Sequence, residues 1–275
     1  MYLFKHKSFK KAIPFCQIFD TFLLLMLYNN ARGNLKQKHM LATLAVIAFS
    51  AIIHASFQLS VSVLTLLSGH AIGSKTAHGR LMHLASSFIF GTAIMTLLLL
   101  SFGVLIFQPG YIPASPFIWS IACGVMIGLG VAVWAFYYRR EAGTSLWLPR
   151  SMARFLSDRT KSTKQGAEAF SLGIASVLAE VLFIMGPLLL AALSIASLAP
   201  AYQAVGIILY LAISLLPLLV VAMLVGGGHK LSHIQRWRES NKRFLQFAAG
   251  SGLLVLGLYV YVEQVMTSGV LGGGL

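Results

Sequence analysis

The sequence predicts an all-α integral membrane protein: a six-helix core built as a 3+3 inverted repeat, preceded by a hydrophobic segment that is a candidate seventh span. Three observations carry this. The 275-residue chain is 57% hydrophobic and only 10% charged, with a mean hydropathy of +0.81, whereas soluble domains carry roughly 25% charged residues. Six continuous apolar runs, 41–67, 82–107, 117–138, 170–195, 202–225 and 244–262, each reach the roughly 20 residues that a bilayer-spanning helix needs. Basic residues alternate between the loops. Continuous runs, rather than alternating segments of about ten residues, exclude a β-barrel.

Residues 1–40 open with the basic "MYLFKHKSFKK", followed by "AIPFCQIFDTFLLLMLY", apolar apart from Gln17 and Asp20. This reads as a signal-anchor or an uncleaved signal sequence, with an interfacial helix as the competing reading.

From Leu41 onward every Lys and Arg falls in one of three loops, Lys75–Arg80, Arg139–Lys164 and Lys230–Arg243. The connections "QPGYIPASP" and "SLAPAYQ" and the tail after Glu263 have none. That is the positive-inside pattern of a multi-pass protein of the cell inner (plasma) membrane. The formal charge of +14 is therefore a topology signal whose partner is the anionic lipid bilayer, not nucleic acid.

The spans divide into a first three-helix repeat, 41–138, and a second, 168–264. A basic cytoplasmic loop, 139–167, separates them, and a Gly-rich external tail, 265–275, follows. Because an odd number of spans separates the opening helices of the halves, those helices run in opposite senses. Transporters with inverted-topology repeats place their sites between such halves at the membrane midplane. In the central loop Trp147, Leu148, Met152, Phe155 and Leu156 share a helical face, with Arg150, Arg154 and Arg159 elsewhere. That suits a helix on the membrane surface or a plain basic linker.

Each repeat places one ionisable residue within its own opening helix. His54 sits in "AFSAIIHASFQLSVSVL", and Glu180, alone of the seven acidic residues, in "SVLAEVLFIMGPLLLAALS". A charge at the bilayer centre costs roughly 2.5–3.5 kcal/mol on insertion scales. A His–Glu pair across the repeat interface relieves that cost and provides a group able to take up and release a proton. The candidate centre is His54, Glu180, Gln58 and Ser56. Gly186, Pro187 and Pro217 are expected to break their helices at similar depth and free carbonyls to line a cavity. The competing readings are helix-to-helix glue, at roughly 0.6 kcal/mol per bond, and a metal ligand set.

Other histidines carry less. His70, His78 and His83 lie in a basic loop, and His229 and His233 are spaced four apart among Lys and Arg. Cys16 and Cys123 form no C-x-x-C or metal spacing. No Walker loop, dinucleotide fingerprint, H-E-x-x-H or G-x-S-x-G occurs, so neither an enzyme nor a cofactor is expected.

Six helices as a 3+3 inverted repeat ending "NKRFLQFAAGSGLLVLGLYVYV" resemble the lysine-exporter (LysE-type) superfamily. The second half is similar to the cytochrome c biogenesis and thiol–disulfide interchange transmembrane family, whose fourth helix reads P-C-x-x-P followed by small apolar residues. Here "FIMGPLLLAALSIA" matches from Pro187, while Phe183 and Ile184 stand where that family's Pro and Cys would be. Electron transfer in that family needs two membrane thiols, which this chain does not place. "IIHASFQLS" is similar to the nickel/cobalt branch only at His54, with Ser60 near the place of a second His. The resemblance implies the six-helix fold, and with the His54 and Glu180 centre the expected function is a transporter of a small solute or ion working by alternating access, with proton coupling. Its alternatives are a cysteine-less scaffold that binds a membrane or redox partner protein, and a divalent metal exporter. A homo-oligomer is compatible with each.

Overall fold

The computed structural model describes residues 35–57, 77–112, 114–137, 158–160, 163, 165–227 and 247–267. By contacts the chain divides into two units, Met1–Ala45 and Val46–Leu275. Residues 1–34, with the expected signal-anchor, and 139–157 of the central loop lie outside the described residues, as does the tail after 267.

Among the described residues all regular structure is helical, and six segments are long and apolar enough to cross a membrane. Helix α1 is Leu35–Phe57, α2 Ala77–Ile106 and α3 Pro116–Ala132, which continues into a π-helical turn, Val133–Tyr137. Helix α4 is Gly166–Ala196, α5 Pro200–Gly226, and α6 Phe247–Met266, whose last residues, Val262–Met266, form a second π-helical turn.

The starts follow local chemistry. Helix α3 opens with Ser115 as N-cap and Pro116 just inside it, where a missing N–H costs nothing. Helix α4 begins four residues before the apolar run, because the Glu168 carboxylate accepts the Gln165 N–H at 3.2 Å and satisfies an orphan donor of the first turn.

In the first unit, the Thr43 hydroxyl donates to the His39 carbonyl at 2.9 Å. In the second unit, packing contacts fix the direction of every helix. Helices α2 and α4 are parallel and nearly touch through their backbones. A side chain at Gly91 would strike the Phe170 carbonyl, one at Gly173 would strike the Phe88 carbonyl, and one at Gly103 would lie 3.0 Å from Ala192 Cβ. Helices α3 and α6 are antiparallel. Gly257 packs on Met126 and Ile127, Gly130 on Leu254, and Trp134 stacks on Phe247 with ring centroids 5.6 Å apart.

Helix α5 runs against α2, with Gly226 beside Met82 at one end and the Gln108 amide donating to Gln203 at 3.0 Å at the other. Helix α1 runs against α4, since Ile47 and Ile195 both flank Gly206 while Phe57 stacks on Phe183. Thus α1, α3 and α5 point one way, and α2, α4 and α6 the other.

Each helix of the first half therefore opposes its counterpart in the second. Alternation alone requires this of any six-span bundle, but the π-helical turns are independent of it. Both third helices end in one, and these are the only two among the described residues. The connections 107–115 and 197–199 lie together at the end without Lys or Arg, while exposed Arg80 begins α2 at the other.

Large apolar side chains such as Phe102, Leu182, Ile208 and Met223 are exposed along the spans. In a bilayer they face lipid. The core sits among Phe88, Met126, Ile184, Leu193, Leu218 and Leu253.

Candidate functional site

The expected helix breaks are corrected by the structure. Helix α4 runs unbroken through Gly186-Pro187, and α5 through Pro217. A membrane helix tolerates proline because only one intrahelical bond is forgone and neighbours support the rest. Pro187 offers no N–H to the Phe183 carbonyl, nor Pro217 to that of Ile213. Gly186 has a packing role, since a Cβ there would lie 2.9 Å from the Met126 sulfur.

Among the described residues, buried polar side chains are few, and three of them bond to carbonyls of their own helices. Thr92 donates to the Phe88 carbonyl at 3.1 Å, Ser176 to Gly173 at 2.8 Å and Ser214 to Leu211 at 3.2 Å. Ser56, a candidate of the centre, likewise turns back to the Ile53 carbonyl at 2.6 Å. Gln58 lies outside the described residues.

His54 behaves differently. It is 2% exposed, and its Nδ1 lies 2.9 Å from the Tyr210 hydroxyl, with ring centroids 5.6 Å apart. Tyr210 is fully buried. In one tautomer the phenol donates to Nδ1; in the other Nδ1–H donates to the phenol oxygen, which turns its own hydrogen elsewhere. Either way two neutral groups satisfy each other without a charge.

Comparisons with protein-family models, characterised proteins and solved structures find no match.

The site is therefore read from its own geometry. The His54–Tyr210 bond joins α1 of the first half of the chain to α5 of the second. Ser50 lies one turn before His54 on the same face of α1. It is fully buried, and its Oγ has no hydrogen-bond partner.

Glu180 is 1% exposed on α4. Ile47 beside Ile195 and Phe57 beside Phe183 set the antiparallel register of α1 and α4. In that register His54 is level with Gly186-Pro187, and Glu180 lies one turn beyond Phe183 in the other direction. At 1.5 Å per residue the two ionisable residues are offset by about 10 Å along the helix axes. They sit on either side of the Phe57–Phe183 pair.

Tyr210 was not anticipated as the partner of His54. The available signal was its place in mid-span, in "GIILYLAISLLP", away from the interfacial belts where Tyr concentrates. Cys123 is a buried free thiol, and Cys16 lies outside the described residues. Among the described residues no three of His, Cys, Asp and Glu gather into a metal site.

Proposed function

We propose that this multi-pass membrane protein moves a small solute or ion by alternating access with proton coupling, and that it acts in the inner membrane without enzymatic chemistry. The observation that carries the reading is the His54–Tyr210 bond between the two halves of the bundle. Ionisable groups are expensive inside a bilayer and mark solute or proton pathways. In inverted-repeat transporters such groups meet between the repeats. Glu180 supplies a second titratable level on the helix that opens the second half. Membership of the lysine-exporter superfamily, which rests on the sequence resemblance, is kept as part of this proposal.

The second reading is a membrane scaffold. It draws on the close α2–α4 contact and on hydroxyls bonded to their own helices, features that rigid packing also produces.

Reconstitution separates the two. Proteoliposomes loaded with a pH-sensitive dye are challenged in turn with amino acids, polyols, weak acids and divalent cations. A transporter gives saturable uptake of at least one class with an accompanying pH change, which His54→Ala abolishes and Glu180→Gln reduces. Folded protein that moves none of them is a scaffold.

A further inference from the structure

The polar level around His54 is closed on both sides by apolar contacts. Toward the connections without Lys or Arg, Ile47, Ile195 and Leu198 converge on Gly206. A Cβ at that glycine would lie 3.0 Å from Ile195 and 3.4 Å from each of the other two. Toward the basic loops, the stacked Phe57 and Phe183 rings, with centroids 6.2 Å apart, cross from α1 to α4. Between these closures lie Ser50, His54 and Tyr210.

The chemistry of that level is distinctive. Its hydrogen-bonding capacity is not exhausted: the Ser50 hydroxyl has no partner, and the bond between His54 and Tyr210 uses only one nitrogen of the imidazole. A buried hydroxyl left unbonded costs roughly 1–3 kcal/mol, which an incoming donor or acceptor recovers. At the same time Glu180, the buried carboxylate among the described residues, lies beyond the aromatic closure. A charged solute between the closures would have no fixed countercharge to meet its desolvation cost.

We propose that Ser50, His54 and Tyr210 form the binding level for a small uncharged hydrogen-bonding solute, with the Phe57–Phe183 pair as its gate toward the basic loops and Ile47, Ile195 and Leu198 as its opposite gate. This rests on the transport reading and adds the class of its cargo. A solute held here contacts the Ser50 hydroxyl and the free edge of the His54 ring. Parting of the aromatic pair brings the level into contact with Glu180, which offers a route for proton exchange with the basic side.

The test places a thiol at the level and asks what reaches it. The protein carries Ser50→Cys in a Cys16→Ser background and is reconstituted in liposomes. It is treated with hydroxyethyl, trimethylammonium-ethyl or sulfonatoethyl methanethiosulfonate, and modification is followed by mass spectrometry. Buried Cys123 serves as the internal reference for a thiol in dry packing. The neutral reagent is expected to modify the introduced thiol at least roughly tenfold faster than Cys123 and faster than either charged reagent by a similar factor. Phe183→Ala, or Ile195→Ala as a second gate variant, raises that rate further. Equal rates for all three reagents, well above that of Cys123, overturn the uncharged class and leave transport standing. Rates that never exceed the Cys123 reference, in any gate variant, overturn both. A rate that neither gate variant raises overturns the gates.

Discussion

The Nδ1 of His54 and the hydroxyl of Tyr210, 156 residues apart in sequence, lie 2.9 Å from each other in the interior of the bundle. Two long polar side chains are thus buried together where each alone would be a liability. Their bond fastens the first helix of one half to the second helix of the other. Any relative movement of the halves must stretch or re-form it. On the alternating-access reading proposed above, this bond is the contact that must break and re-form.

The strength of that contact is measurable by a double-mutant cycle on His54→Ala and Tyr210→Phe, using unfolding in mixed micelles. A coupling of roughly 0.6–1.7 kcal/mol is expected, the range of interhelical bonds in membranes. Additive single effects would mean that the two side chains stabilise the bundle independently.

Glycine placement gives a sharper contrast. A Cβ at Gly173 would meet the Phe88 carbonyl, whereas one at Gly124 or Gly128 on α3 would have nothing within 4 Å. Gly173→Leu should prevent α2 and α4 from closing and cost folded yield outright. Gly124→Leu and Gly128→Leu should be tolerated and raise stability slightly, since glycine costs a helix up to about 1 kcal/mol. Size-exclusion profiles and melting temperatures in detergent distinguish the outcomes.

Pro187→Ala restores an N–H opposite the Phe183 carbonyl. We expect a higher melting temperature, because proline is less favourable than alanine inside a helix by about 3 kcal/mol before packing is counted. We also expect slower modification of the thiol introduced by Ser50→Cys, as the gate-bearing turn stiffens. A lower melting temperature would show that the ring itself is needed to fill the core.

Orientation is open to direct labelling. Gly110 is exposed in the connection after α2, and Asp158 is exposed beside the basic Arg159. A membrane-impermeant maleimide should reach Gly110→Cys on intact cells and Asp158→Cys only after permeabilisation. The reverse pattern would invert the assignment made from the basic loops.

Much of this architecture was legible in the sequence, for a physical reason. Lipid demands long uninterrupted apolar helices, so spans such as 170–195 follow from the run of apolar residues. The burial of His54 and Glu180 also followed, since both sit deep in apolar runs.

Partners did not follow. Tyr210 reads as one more aromatic in a hydrophobic helix, and the two-turn offset that places Phe57 and Phe183 between His54 and Glu180 depends on packing of α1 against α4. Pro187 was misleading on its own. Its local propensity argues for a break, but Gly186 lets α3 come close, and the packed helix continues through. The π-helical turns at 133–137 and 262–266 have no sequence signature that was recognised.

The central claim is that His54, on the first helix, finds its partner in Tyr210 on the fifth. Magic-angle-spinning NMR of the protein in bilayers, with histidine labelled by nitrogen-15, tests it most directly. The account predicts a large shift of the His54 ring nitrogens in Tyr210→Phe but not in Glu180→Gln, whichever of the two groups donates the bond. A His54 signal that ignores Tyr210→Phe and moves with Glu180→Gln would contradict it, and would make the carboxylate the true partner.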